Sequence, residues 1–425
     1  MRKRPLKLTE KCADSKLHCG KSATRTNISE QTRVPHVSLL RRGLLLASIT
    51  GLAAATASAQ WQIVTPAPTT ADLRGIDNVG NGVAWASGTD GTVLRTEDAG
   101  YLWQRCTIPP GAEHLDFRGI QAFDANTAIV MSSGKGPLSR LYKTTDGCQT
   151  WTLVFTNPDK AGSFGALQNP ESLPRHGKTR LALLGDPVKG HFIVWEIRPF
   201  AAPEKIARPL IALPGSHPGQ AVFAASNSSL FVYNANFGFF NPTGKFWFGT
   251  GGRFGARIFS SGESVRGGYF VTKVPIGDGK DSSGIFSIGF ARLACQGTSK
   301  PCFVRKNVVA VGGDYELSDD EHASAAFSSD YGDRWHPATA QPHGFRSAVA
   351  YDAPTRTWIT VGPNGTDISS DDGQNWRALR PDLKLGDASD ADQHWNALSL
   401  PYVVGPHGRI GILRRSAIES TEAGK

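Results

Sequence analysis

Four segments of the chain share one pattern: a hydroxyl residue, any residue, Asp, any residue, Gly, two further residues, Trp. They are Thr96-Glu97-Asp98-Ala99-Gly100-Tyr101-Leu102-Trp103, Thr144-Thr145-Asp146-Gly147-Cys148-Gln149-Thr150-Trp151, Ser328-Ser329-Asp330-Tyr331-Gly332-Asp333-Arg334-Trp335 and Ser369-Ser370-Asp371-Asp372-Gly373-Gln374-Asn375-Trp376. The second copy departs from the pattern, with Cys148 at the glycine position. A pattern that recurs in register marks a repeat architecture, in which each copy is one supersecondary unit. Each part has a physical task. The carboxylate of a tight turn accepts hydrogen bonds from that turn's own N–H groups. Glycine adopts positive φ without steric cost. The indole buries a large flat surface between adjacent sheets while its N–H finds an acceptor. Apolar residues around the boxes place each turn between two antiparallel strands, as in Val93-Leu94-Arg95 and Thr150-Trp151-Thr152-Leu153-Val154-Phe155. Asp98, Asp146, Asp330 and Asp371, with Trp103, Trp151, Trp335 and Trp376, are therefore structural residues.

A second unit recurs upstream of the boxes: a strand, a short link and a glycine-ended strand. The first two copies are Leu73-Arg74-Gly75-Ile76 with Val83-Ala84-Trp85-Ala86-Ser87-Gly88, and Phe117-Arg118-Gly119-Ile120 with Ala128-Ile129-Val130-Met131. Weaker copies begin at Phe164, Val222, Ile285, Phe345 and Trp395, and the fourth has Phe259-Ser260-Ser261-Gly262 where a box would stand. The last copy offers Arg409-Ile410-Gly411-Ile412-Leu413 as its third strand and then runs out of pattern. Gln60-Trp61-Gln62-Ile63-Val64 resembles the strands that follow the boxes, so it supplies the missing fourth strand and closes the ring without an exposed edge. The expected fold is all-β: a single seven-bladed β-propeller over residues 60–417, closed by its N-terminal strand, with a flexible tail over 418–425.

Residues 1–59 stand apart. Arg41-Arg42 precede an apolar run from Gly43 to Ala55 that ends on Ala57-Ser58-Ala59, the small-x-small pattern of a signal peptidase site. The run is shorter than the roughly 20 residues a membrane-spanning helix needs. Cleavage after Ala59 and export to the periplasm or beyond are expected, with no stable membrane insertion. The chain holds 46 Lys+Arg and 37 Asp+Glu, of which 11 and 3 fall in residues 1–59, leaving a nearly neutral 35 and 34 beyond them. Nucleic-acid binding needs a lasting cationic excess, which that balance excludes. Two of the 6 cysteines, Cys12 and Cys19, belong to the leader. Of the others, Cys295 and Cys302 bracket a turn-rich loop that a local bridge could staple, and Cys106 and Cys148 lie one repeat apart and could join neighbouring blades.

On these residues the chain resembles the Asp-box (bacterial neuraminidase repeat) propellers, and more closely the photosystem II stability/assembly factor-like group of exported bacterial proteins. The resemblance rests on the boxes and on Val93-Leu94-Arg95-Thr96-Glu97-Asp98, Gly185-Asp186-Pro187-Val188, Trp247-Phe248-Gly249-Thr250-Gly251-Gly252, Gly284-Ile285-Phe286-Ser287-Ile288, Val311-Gly312-Gly313-Asp314-Tyr315 and Phe345-Arg346-Ser347-Ala348-Val349-Ala350-Tyr351. It implies a propeller fold and an extracytoplasmic location.

In a propeller the starts of the inner strands and the loops from second to third strand share one face, around the channel mouth. Arg74, Arg118 and Arg346 occupy equivalent inner-strand positions there, with Asp72 and Asp116 two residues ahead of the first two. The loops add Asp90, Asp186, Asp314 and Tyr315. Converging guanidinium groups suit a carboxylate or another small anion. The competing expectation is that each arginine pairs with an Asp and holds neighbouring blades together. A sialidase-like glycoside hydrolase acting on acidic sugars is the alternative to pure binding. It would need three converging arginines and a Tyr nucleophile paired with Glu. Tyr315 and Tyr351 are conceivable nucleophiles, yet no Glu is placed beside either by any pattern. Neither cofactor nor metal is implied; Asp319-Asp320-Glu321 and Asp387-Ala388-Ser389-Asp390-Ala391-Asp392 lack the spacing of a calcium loop. The function expected is a non-catalytic monomer binding a protein partner or small anionic ligand at the channel mouth, as an assembly or scaffold factor.

Overall fold

The structure, a computed structural model, describes residues 60–170, 179–233, 245–261, 269–292 and 304–419. Residues 1–59, with the expected leader, and Cys295 and Cys302 lie outside them. The described strands form five four-stranded sheets and one nine-stranded sheet. The larger sheet is two further meanders joined by one pairing, Gly251 opposite Gly284. No side chain fits at that joint, since a Cβ on Gly284 would stand 2.4 Å from the Gly251 Cα.

Every meander is antiparallel and runs from an inner strand outward. The inner strands are, in order, Leu73–Gly80, Phe117–Ala122, Phe164–Gln168, Leu230–Tyr233, Ser283–Arg292, Ala348–Asp352 and Ala397–Ser399. The outermost strand of the last meander is Trp61–Ile63, with Trp61 opposite Leu413, Gln62 opposite Ile412 and Ile63 opposite Gly411. The N-terminal strand thus closes the ring. Trp61 adds a buried wedge: its indole N–H donates to the Thr366 hydroxyl at 3.1 Å and its ring lies 6.1 Å from that of Trp395.

The apolar core follows from this arrangement. Each meander buries both faces, so its strands are apolar on both sides, as in Leu181-Ala182-Leu183-Leu184. The buried side chains divide into separate clusters, each between consecutive meanders. Trp85 and Val93 meet Phe117 and Tyr142 across the first seam; Leu73 and Leu94 meet Tyr402 and Ile410 across the last. Burial of this kind contributes about 25 cal/mol per Å² of apolar surface. It is spread evenly round the ring.

In the boxes the hydroxyl takes a part that the pattern contained but did not explain. In the first, the Thr96 hydroxyl donates to Asp98 at 2.8 Å and accepts from the Gly100 amide at 3.1 Å, while the Leu102 amide donates to Asp98 at 3.0 Å. Ser328–Asp330 and Ser369–Asp371 repeat this. The indoles of Trp335 and Trp376 donate to the carbonyls of their own box glycines, and Trp151 donates to Thr107 in the preceding link. Trp103 has no such acceptor among the described residues; its ring stands edge-on to Tyr402 at 5.9 Å. Cys148 holds φ at 66° in place of glycine and forms a disulfide with Cys106, Cα to Cα 5.3 Å, tying the first meander's end to the second's box.

Two expectations need correction. Val222-Phe223-Ala224-Ala225 is not the fourth inner strand. Gln220–Ala221 pairs with Gly251 and Gly252, the chain then leaves the sheet, and pairing resumes only at Leu230 opposite Phe248. At the C-terminus Ser416–Glu419 forms a short helix whose Ile418 is buried beside Trp61 and Leu413, so order runs past the boundary expected at 417.

Candidate functional site: the two ends of the central channel

The inner strand of each meander turns its unpaired edge toward the ring's axis. Those backbone groups require partners, because a buried N–H left unmade is costly. Side chains from neighbouring meanders supply them. Ser399 accepts the Asn78 amide at 3.0 Å, Asp77 the Ala122 amide at 2.8 Å, Gln121 the Asn169 amide at 3.0 Å and Ser287 the Val349 amide at 3.0 Å.

Residues 222–229, the segment that leaves the fourth sheet, complete this girdle by crossing the channel. Asn227 accepts the Leu167 amide at 2.7 Å and donates to the Leu167 carbonyl at 2.9 Å. Its φ of 61° is a conformation asparagine tolerates better than most residues. The Ser228 carbonyl accepts the Ile288 amide at 2.9 Å, and the Ser226 hydroxyl donates to the Ser347 carbonyl at 2.8 Å. One segment therefore reaches the second, third, fifth and sixth meanders. Nothing in its sequence announces this. Ala-Ala-Ser-Asn-Ser-Ser has a turn composition and no periodicity.

The upper mouth, where the inner strands begin, holds most of the residues singled out in the sequence. Arg74 and Arg118 sit at β-bulges, which re-aim a side chain out of the ladder. Both are half-buried and paired with the Asp two residues earlier, Arg74 with Asp72 at 3.4 Å and Arg118 with Asp116 at 2.7 Å. The partner is on the same meander, not the next one. Ties between meanders come from other atoms: Arg118 also donates to the Ala224 carbonyl at 2.9 Å, and Asp72 accepts the His407 amide at 3.1 Å.

Arg346 does not reach the mouth. It is 0% exposed and turned along its own sheet, where it donates to Asp367 at 2.8 Å, to Asn364 at 2.6 Å and to the Phe345 carbonyl at 2.8 Å. His343 meets the other oxygen of Asp367 at 2.6 Å. The three arginines therefore do not converge. The conceivable nucleophiles are also apart: Tyr315 lies on an upper loop and Tyr351 at the lower end of the channel.

Asp186 accepts the Val222 amide at 3.0 Å and the Ser163 hydroxyl at 2.8 Å, anchoring the crossing segment to the third meander. Burial pushes its carboxyl above the usual carboxylate range despite those bonds. Burial also acts on Asp314, but Ser282, the Glu316 amide and Lys280 outweigh it and hold that carboxyl low. Asp90 is exposed in a left-handed turn, φ 55°. Tyr315 is 50% exposed and stands on an aromatic cluster that sequence reading missed. Phe223 stacks on Phe286 at 4.1 Å, Phe286 meets Phe345 at 4.6 Å, and the Tyr315 ring lies 6.4 Å from Phe223 and 6.0 Å from Phe286. Phe223 and Ala224 thus link Tyr315 to Arg118 across the mouth.

The lower end, where the inner strands finish, opens into a cavity of about 430 Å³. Side chains from all of the inner strands line it, and Ser226-Asn227-Ser228 form its floor. In the acidic loops Asp319 accepts from Asn364 and Asp390 pairs with Arg409.

Two solved structures share the architecture. "YCF48 bound to D1 peptide" superposes with a TM-score of 0.52 at 14% identity, covering 83% of this chain and 96% of that one. "YCF48 from Cyanidioschyzon merolae" gives 0.52 at 17% identity, covering 84% and 99%. The fold is a β-propeller. At such identities the likeness to YCF48 speaks for the fold alone. No family model and no curated protein matches the sequence.

Proposed function

We propose that this chain is a non-catalytic, exported β-propeller that binds a segment of a partner protein at its upper mouth and acts as an assembly or scaffold factor. The observation that carries the reading is Tyr315, half-exposed on a rigid aromatic base beside Leu317, which is 48% exposed. Exposed tyrosines on loops held by a rigid scaffold are common anchors of protein recognition. The pairs Arg118–Asp116 and Arg74–Asp72 provide a polar rim. The peptide in one YCF48 structure is a precedent for a propeller of this architecture taking a protein segment. Export is supported by the Cys106–Cys148 bridge, which suits an oxidising compartment.

The small-anion reading loses its basis, since each of the three guanidinium groups already has a carboxylate partner. The glycosidase alternative needs those arginines free and converging, and it draws no support here. Photo-crosslinking from position 315 in envelope extract tests the proposal: a discrete adduct is expected, lost in the Arg118→Glu variant. Absence of an adduct from the otherwise unaltered protein carrying the crosslinker, or hydrolysis of fluorogenic sialosides by the wild type, overturns it.

A further inference from the structure

The lower cavity sets three carboxamides side by side at the seam of the second and third meanders. Gln121 spends its oxygen on the Asn169 amide, and no acceptor for its amide nitrogen exists among the described residues. Gln168 spends its nitrogen on the Asn227 carbonyl, and its oxygen has no partner among the described residues. The Asn169 side-chain oxygen is buried and has no partner among the described residues. Open donors and acceptors therefore stand together on one wall.

Across the ring the fourth to sixth meanders contribute Phe231, Ile288, Phe290 and Tyr351, but Phe231 and Phe290 stack at 4.0 Å inside the core of their own seam and are almost wholly buried, so the surface facing the cavity is mainly polar. Charge is sparse. Asp77 and Arg292 are the charged residues among those lining the cavity, and Asp77 already accepts the Ala122 amide. A single carboxylate cannot supply the pair that glycoside cleavage requires.

A ligand that fits must carry hydroxyl or amide groups over most of its surface, with only a small apolar face, and no net charge. The volume suits a small molecule, at the lower end of the roughly 300–1,000 Å³ of ligand sites. From these features we infer that the cavity binds, without turnover, a neutral saccharide of one or two rings. The site is distinct from the upper mouth and does not depend on the function proposed for it.

Saturation-transfer NMR and calorimetry on the purified protein, with N,N′-diacetylchitobiose, maltose and glucose as probes and sialic acid as charged control, test this. Transfer to the ring protons of at least one neutral sugar is expected, and weaker or no transfer to sialic acid. Gln121→Leu and Gln168→Leu should each weaken binding about tenfold, the effect of one lost hydrogen bond. Ala350→Trp occupies the cavity without removing a hydrogen bond, so it should abolish binding while the melting temperature is retained. Arg118→Glu should leave sugar binding intact even where partner crosslinking fails, which separates the two sites. Absence of transfer from every neutral sugar, equal binding of sialic acid, or binding unaffected by both Gln121→Leu and Ala350→Trp overturns the inference.

Discussion

The Asn227 side chain pairs with both backbone groups of Leu167, accepting the amide at 2.7 Å and donating to the carbonyl at 2.9 Å. A carboxamide here does what a neighbouring β-strand does elsewhere, and it does so in the middle of a ring that would otherwise leave that edge unpaired. The upper mouth is built on it. Val222, Phe223 and Ala224 reach Asp186, Tyr315 and Arg118 because Ser226-Asn227-Ser228 fix the segment below them.

Removing that amide should be expensive. Asn227→Ala leaves two buried backbone groups without partners, at about 1–3 kcal/mol each when unmade, and forces alanine into a positive φ. Asn227→Gly relieves the backbone and keeps the loss of pairing, so it should recover only about 1 kcal/mol. Urea denaturation of both variants separates the contributions. A glycine variant as stable as the wild type would show that the crossing segment is held by something other than this pairing.

The disulfide makes a second, independent prediction. Cys106 and Cys148 are 42 residues apart, and closing a loop of that order stabilises by about 2–4 kcal/mol. Cys106→Ser with Cys148→Ser should lose that amount, and reductant should lower the melting temperature of the wild type by more than that of the variant. Cys148 also occupies a left-handed position that the other boxes give to glycine. Cys106→Ser with Cys148→Gly should therefore be the more stable of the two double variants, by about 1 kcal/mol.

Much of the fold was legible because the box is local. Thr96, Asp98 and Gly100 satisfy one another within five residues, so the chemistry can be read from a window that short. The ring closure was legible for another reason: Trp61 repeats the apolar pattern of the strands after the boxes, and a sheet lacking an edge strand had to find it. The site was less so. Arg346 matches Arg74 and Arg118 in sequence, but its side chain pairs with Asp367 on the third strand of its meander, and no local pattern distinguishes a buried guanidinium from a half-exposed one. The cavity wall formed by Gln121, Gln168 and Asn169 depends on contacts across a seam, and carboxamides carry no periodicity to betray them.

The box carboxylates give a signature in acid. Hydrogen bonds hold all four below their ordinary range: those from the Leu102 amide and the Thr96 hydroxyl for Asp98, and those from Thr150 for Asp146, which falls to about 2. For Asp330 and Asp371 burial acts in the opposite direction and is outweighed by the bonds of their turns. A carboxyl lowered in the folded state stabilises above its unfolded pKa, near 3.8, and loses that contribution as pH falls through the folded value. The melting temperature should thus drop between about pH 4 and pH 2. Asp146→Asn should be less stable than the wild type at neutral pH and converge with it near pH 2. A constant gap across the titration would mean the carboxylate's charge plays no part.

Asp392 should behave in the reverse sense. It is 2% exposed, and one of its oxygens has no partner among the described residues. Burial raises its carboxyl above the ordinary range. A raised carboxyl destabilises the folded state in full above the folded pKa, and that cost fades as pH falls from the folded pKa to the unfolded value, below which it is gone. Its backbone carbonyl accepts from Thr366, the same hydroxyl that accepts the Trp61 indole, so the strain is applied where the N-terminal strand closes the ring. Asp392→Asn keeps the backbone contact and removes the charge. It should raise stability at pH 7 by about 1 kcal/mol, the lower end of the cost of an unmade buried polar group, and the gain should shrink toward pH 4. A variant less stable than the wild type at pH 7 would mean that the charge is compensated in the native ring and kept for its field at the closing seam.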